Sequence, residues 1–178
     1  MENINSTKEI MQLIFNSNIV VVSSLDENGY PSSRAMLTLN EKASLSEMYF
    51  STNTFSQKVI QFHENPKASL YFHTTDKFRG VYLKGEMKVI FNQKVKDQFW
   101  HEGDEKYYRF GKTDPNYCIL KFTPLEGNYY CGLRIDRFVI NDGEIQINKQ
   151  NLNPEIPDFL KQMYEEYKKK MKTHSNQN

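Results

Sequence analysis

An arginine at position 34, within the stretch GYPSSRAM, is the first residue of this sequence whose setting suggests chemistry. Alternation along Tyr30 to Leu39 puts Ser32, Arg34 and Met36 on one face of a strand and Ser33, Ala35 and Leu37 on the other. A guanidinium between a small hydroxyl and a flexible apolar side chain needs an anion or a carboxylate, because burying it unpaired is costly. A second group of matching character lies further along. Ser51-Thr52-Asn53-Thr54 ends one strand and opens a helix that carries Ser56 and Lys58 in its first turns. Backbone N–H groups, hydroxyls and an ammonium would converge there at a helix N-terminus, which suits an anion. An ordinary helix cap with Lys58 in solvent accounts for the same residues.

Other chemistries lack their residue patterns. The sequence has no GxGxxG after a strand, no Walker loop, no HExxH and no GxSxG, so doubly wound dinucleotide folds, phosphoryl transfer and serine hydrolysis have no local support. His63, His73, His101 and His174 are not at ligand spacing, and no metal site is expected. Cys118 and Cys131 fall in separate apolar-aromatic stretches and read as reduced structural thiols. His73 and Tyr82, on adjacent strands, are candidates for an acid or base, but structural roles explain them as well, so no catalytic residue is assigned. A net charge of +1 provides no basic field, which argues against nucleic acid. The opening MENINSTKEI has no basic start, and no segment approaches the roughly 18 apolar residues of a membrane span. A cytoplasmic protein is expected.

The elements that must position these residues are legible from period and punctuation. Ser6 to Glu9 has the form of a capping box, followed by a helix whose apolar face is Ile10, Leu13 and Ile14. Asn18 to Ser24 and Tyr30 to Leu39 form a hairpin about Asn28-Gly29. Glu47 to Thr52 is a strand, Thr54 to His63 a helix, Lys67 to Thr74 a strand, and Val81 to Phe91 a strand with Gly85 marking a bulge. Asn92 caps a helix carrying Trp100, and Lys106 to Gly111 adds a helical turn. Tyr117 to Phe122 and Tyr129 to Ile140 are strands separated by a corner at Thr123 to Gly127. A hairpin at Asn141-Asp142-Gly143 leads to Glu144 to Asn148. Pro154 to Lys172 is helical, with Ile156, Phe159, Leu160, Met163 and Tyr167 on one side. Antiparallel strands with few helices between them suggest a small barrel.

GYPSSRAM, MYFSTNTFSQKVIQFHENPKASLYF, VYLKGEMKV and FTPLEGNYY resemble, in order and spacing, the pyridoxamine 5′-phosphate oxidase-like FMN-binding split-barrel proteins, nearest the bacterial general stress protein branch. The resemblance implies a mainly β (α+β) fold, a six-stranded antiparallel split β-barrel with peripheral helices. It places an FMN domain at residues 1–150, with 151–178 as a helical extension of the same domain. It further implies a homodimer with FMN at the interface. Ser33, Arg34, Ala35 and Met36 would lie along the flavin, with the arginine near the phosphate. Ser51, Thr52, Asn53, Ser56 and Lys58 would complete the phosphate and ribityl contacts, and Tyr130, beside Tyr129, would lie near the partner's flavin.

The function implied by this resemblance is that of an FMN-dependent oxidoreductase acting on a small molecule, with NADH or NADPH as the electron donor. The alternatives are a non-catalytic FMN-binding stress, storage or sensor protein, or a split barrel using deazaflavin or haem. Two departures weigh against pyridoxamine phosphate oxidation itself. Gly80 stands where the true oxidases carry a glutamine facing flavin, and a lysine-rich helix stands where they carry a segment with tryptophan and arginine.

Overall fold

Local turn chemistry sets the first pairings. Gly29 takes a left-handed φ of +81°, and the Asp26 carboxylate accepts from the N–H groups of Asn28 and Tyr30. The turn folds β1 (Ile19–Leu25) against β2 (Pro31–Leu37), with Val22 opposite Arg34 and Ser24 opposite Ser32. The computed structural model describes residues 2–39, 45–74, 78–148 and 157–175. The other edge of β1 takes β4 (Lys67–His73), followed by β5 (Arg79–Ile90), β6 (Tyr117–Cys131), β7 (Arg134–Asn141) and β8 (Glu144–Ile147). β3 (Met48–Asn53) lies off this path and pairs with β6. Every pairing is antiparallel and the sheet does not close. This is the expected split-barrel class, with eight strands in the sheet where six were expected.

Helices α1 (Glu2–Asn16), α2 (Gln57–Glu64) and α3 (Gln93–Gln98) accompany the sheet. Ile10, Leu13 and Ile14 of α1 join Val20, Val22, Leu70, Phe72, Val81, Leu83 and Phe122 in the main core. A smaller core of Phe99, Tyr108, Tyr117 and Ile119 takes Trp100 against it, with the indole edge-on to Tyr117 at 5.2 Å. The bulge expected at Gly85 is present as a register shift between Lys84 and Gly85. Asn92 caps α3, its side chain accepting from Lys94 N and Val95 N.

Several boundaries differ from the sequence reading. α2 begins at Gln57, not Thr54; α3 ends at Gln98, so Trp100 lies beyond it; and in place of one helical turn over Lys106 to Gly111 there are two short 3-10 turns, Asp104–Lys106 and Gly111–Thr113. Three further differences have a long-range reason. α1 starts at Glu2, so Ser6 sits inside the helix. Its hydroxyl donates to Asp136 Oδ2 at 2.8 Å, while Glu9 accepts from the Tyr129 hydroxyl at 2.8 Å. Burial, reinforced by the bond to Glu9, pushes the Tyr129 phenol up. β6 runs unbroken through the stretch read as a corner. That stretch is where β6 leaves β3, its partner up to Phe122, and joins β7, its partner from Glu126. The strand read as Tyr129 to Ile140 is divided by a turn at Gly132, φ +58°.

The chain falls into two units, Met1–Asn148 and Lys149–Asn178. The second contains α4 (Asp158–Ser175), with ion pairs from Lys161 to Asp158 and from Lys168 to Glu165. Phe159, Leu160, Met163 and Tyr167 recur on one side of this helix at the expected spacing, and Ile156 lies outside the described residues. Among the described residues no helix is long and apolar enough to cross a membrane.

Candidate functional site

Because β2 pairs only with β1, its outer edge is unpaired in the described sheet and one face turns toward α2. Arg34 lies on that face, half-buried. Its Nη1 donates to Ser24 Oγ at 2.8 Å, and its Nη2 donates to Ser32 Oγ at 2.8 Å and to Gln61 Oε1 at 3.1 Å. Ser24 in turn donates to Gln61 Oε1 at 2.5 Å, and both of these side chains are buried. The guanidinium is therefore positioned by neutral oxygens that hold its direction without cancelling its charge.

Lys58 lies one helical turn from Gln61, on the same side of α2. Its ammonium is held below the ordinary lysine range, first by burial and then by the charge of Arg34. Burial lowers Arg34 as well. No carboxylate among the described residues contributes to either shift. Two like charges kept close and partly desolvated, with no carboxylate among the described residues acting on either, make a site of positive potential that an anion would relieve.

The backbone adds donors to this pocket. Ser56 is the N-cap of α2, but its hydroxyl turns back to the Asn53 carbonyl at 2.7 Å and caps no N–H. The first N–H groups of α2 therefore have no side-chain cap. The end of β3 approaches through Cys118. The Cys118 Sγ donates to the Thr52 carbonyl at 3.6 Å, and the thiol, raised by burial, is drawn partly back by Thr54 and Lys58.

The expected site residues thus divide. Arg34 and Lys58 come together, with Thr52 and Asn53 at the adjoining strand end and Ser56 at the helix start. Ser51 lies on the face of β3 opposite buried Thr52. Met36 shares the Arg34 face but sits in the core. The side chains of Ser33 and Ala35 lie on the opposite, exposed face, where the Ser33 and Ser23 hydroxyls bond at 2.8 Å. Tyr130 belongs to that outer face too. It stands opposite Gly80 in the ladder and accepts from Asn128 Nδ2 at 3.2 Å. The sequence reading missed Gln61 and Ser24, although a glutamine three residues after Lys58, between apolar Ile60 and Phe62, was a usable signal.

On the outer face a groove of about 580 Å³ is lined by Tyr71, His73, Phe78, Arg79, Tyr82 and Tyr130, among others. A β-carbon at Gly80 would collide with the phenol of Tyr71. Tyr71 therefore occupies the space that a longer side chain at position 80 would need. The Tyr71 and His73 rings stack at 6.0 Å. Among the described residues no group of three His, Cys, Asp or Glu side chains is placed to hold a metal ion.

The model of the family described as pyridoxamine 5′-phosphate oxidase matches residues 6–131. A pyridoxine/pyridoxamine 5′-phosphate oxidase of Legionella pneumophila (strain Lens) is 37% identical over 71 residues, a match covering 40% of this chain and 32% of that protein. The match thus spans about a third of that relative. Among solved structures, a Clostridium acetobutylicum protein related to general stress protein 26 of B. subtilis is 37% identical, with TM-score 0.69, over 76% of this chain and 95% of that one. Two more distant structures share the fold. A pyridoxamine 5′-phosphate oxidase-related, FMN binding protein of Nostoc punctiforme is 15% identical, TM-score 0.54, over 83% and 92% of the two chains. A heme binding protein of Mycobacterium smegmatis is 12% identical, TM-score 0.59, over 75% and 57%.

Proposed function

The chain belongs to the pyridoxamine 5′-phosphate oxidase family, and from that premise we propose that it is an FMN-binding flavoprotein, an oxidoreductase acting on a small molecule. The observation that carries this reading is the pairing of Arg34 with Lys58 at the start of α2, two partly buried cations with no carboxylate among the described residues acting on either. A phosphate monoester, dianionic near neutral pH, supplies the charge this pocket lacks.

In this reading Arg34 and Lys58 hold the phosphate, and the uncapped N–H groups of α2 add donors. Ser24, Ser32 and Gln61 fix the plane of the guanidinium so that little side-chain entropy is lost on binding. The free edge of β2, with Ser33 and Ala35, offers backbone groups to the ring. When bound, FMN supplies electron transfer at its ring system, and the protein supplies anchoring, orientation and exclusion of water. Exposed Ile19, Leu37, Phe78 and Ile135 give the outer face the apolar character of a subunit contact, which supports a homodimer with flavin at the interface. Gly80, with the Tyr71 phenol against it, stands where the true oxidases carry a glutamine, which argues against pyridoxamine phosphate as substrate.

The test is to load the full chain with FMN and titrate it anaerobically with NADH and NADPH. One bound flavin per chain, bleached by a donor, is the expected result. Flavin bound but never bleached would favour storage or sensing over turnover. A purified protein with a Soret band and no affinity for FMN would replace flavin with haem, as in the Mycobacterium smegmatis relative.

A further inference from the structure

Both hydrogen bonds that Gln61 makes to the Arg34 network end on one atom. Its Oε1 accepts from Ser24 at 2.5 Å and from Arg34 at 3.1 Å, and the side chain is only 5% exposed. A carboxylate in the same place could accept the same two bonds, because glutamate matches glutamine in shape and, when ionised, offers only acceptors. A carboxylate is also the ordinary partner of a half-buried guanidinium. An amide therefore stands where hydrogen bonding alone would be served equally well by an acid. The other partners of Arg34, the hydroxyls of Ser24 and Ser32, are neutral too. Of the carboxylates closest in sequence to Ser24 and Gln61, Asp26 accepts from the N–H groups of its own turn, and Glu27 and Glu64 are exposed. Lys58 lies one turn before Gln61 on α2, so a charge at position 61 would act on both cations.

We propose that Gln61 sets the charge selectivity of this seat. Its neutral amide aims Arg34 and leaves both positive charges uncompensated, so the seat prefers a phosphate monoester with two negative charges to a diester with one. Gln61 acts through Arg34 and is a positioning residue. A glutamate there, kept ionised by the adjacent guanidinium, would aim Arg34 in the same way but cancel one of the two charges. The preference is a difference between two affinities, and the residue that controls it is the one whose charge the fold could have changed without loss of a hydrogen bond. That the monoester belongs to FMN rests on the flavoprotein reading, whereas the preference for a dianion does not.

The experiment measures FMN, riboflavin, methyl phosphate and dimethyl phosphate binding to the unaltered full chain, Gln61→Glu and Gln61→Met by calorimetry at a pH well above the second phosphate pKa of about 6. FMN affinity should fall by about 100-fold in Gln61→Glu and by about threefold to tenfold in Gln61→Met, with riboflavin unchanged in both. A purely structural role predicts the reverse order, since glutamate keeps both hydrogen bonds and methionine keeps neither. Full FMN affinity in Gln61→Glu with a loss in Gln61→Met would therefore overturn the proposal, as would equal losses of FMN and riboflavin in Gln61→Glu. In the unaltered chain, where no variant has to fold, methyl phosphate should bind about tenfold or more tightly than dimethyl phosphate. Equal affinity of those two probes, or no binding of either, would also overturn it. Failure of FMN to bind while the unaltered chain prefers methyl phosphate, and Gln61→Glu does not, would support the selectivity and remove the flavoprotein reading.

Discussion

At the level of single residues, one arginine and one lysine carry the proposed phosphate seat. Arg34 was legible because strand alternation is local, so a charged residue on the face shared with Met36 is visible without a fold. Gln61 and Ser24, which aim it, were not. Their roles depend on β1, β2 and α2 meeting in space, and nothing in their own neighbourhoods shows that meeting. The depressed ammonium of Lys58 gives a pH prediction. As pH rises through its lowered pKa the free pocket loses a charge, so FMN affinity should begin to fall below the ordinary lysine range of about 10.4. In Lys58→Met this decline should vanish, and a fluorescence titration series across pH that shows identical slopes for both proteins would refute the assignment. For the unliganded chain the sign reverses. The folded state releases this proton before the unfolded state does, so the contribution favours folding as pH rises.

Among the elements, the hairpins at Asn28-Gly29 and Asn141-Asp142-Gly143 were legible because their turn residues determine φ locally, Asp142 and Gly143 taking +50° and +81°. The start of α1 was not, because the partner of Ser6 is Asp136, on β7. The Pro124 and Gly127 signals were real but marked a change of partner for β6 in place of a chain corner. Gly85 makes that crossing possible. A β-carbon there would collide with the Thr123 carbonyl oxygen. Gly85→Ala should therefore cost about 1–3 kcal/mol, measured by urea denaturation. Unchanged stability would show that the bulge can relax and that the close approach of β5 to β6 is not required.

For the molecule as a whole, the outer face of the sheet leaves Ile19, Leu37 and Ile135 exposed in the single chain. The family resemblance suggested a homodimer, and this face is where the second copy is proposed to sit. Sedimentation should show a dimer, and Leu37→Lys combined with Ile135→Lys should shift it to monomer and weaken FMN binding. Monomers that retain full FMN affinity would place the flavin site within one chain. Whether Arg34 and Lys58 form a phosphate seat for FMN is decided by titrating FMN into the unaltered chain, Arg34→Met and Lys58→Met. Saturable binding of one FMN per chain is expected, with a loss of about 10-fold to 100-fold in each variant, the value of a charge-assisted hydrogen bond. Binding of equal strength in all three proteins would contradict the phosphate seat.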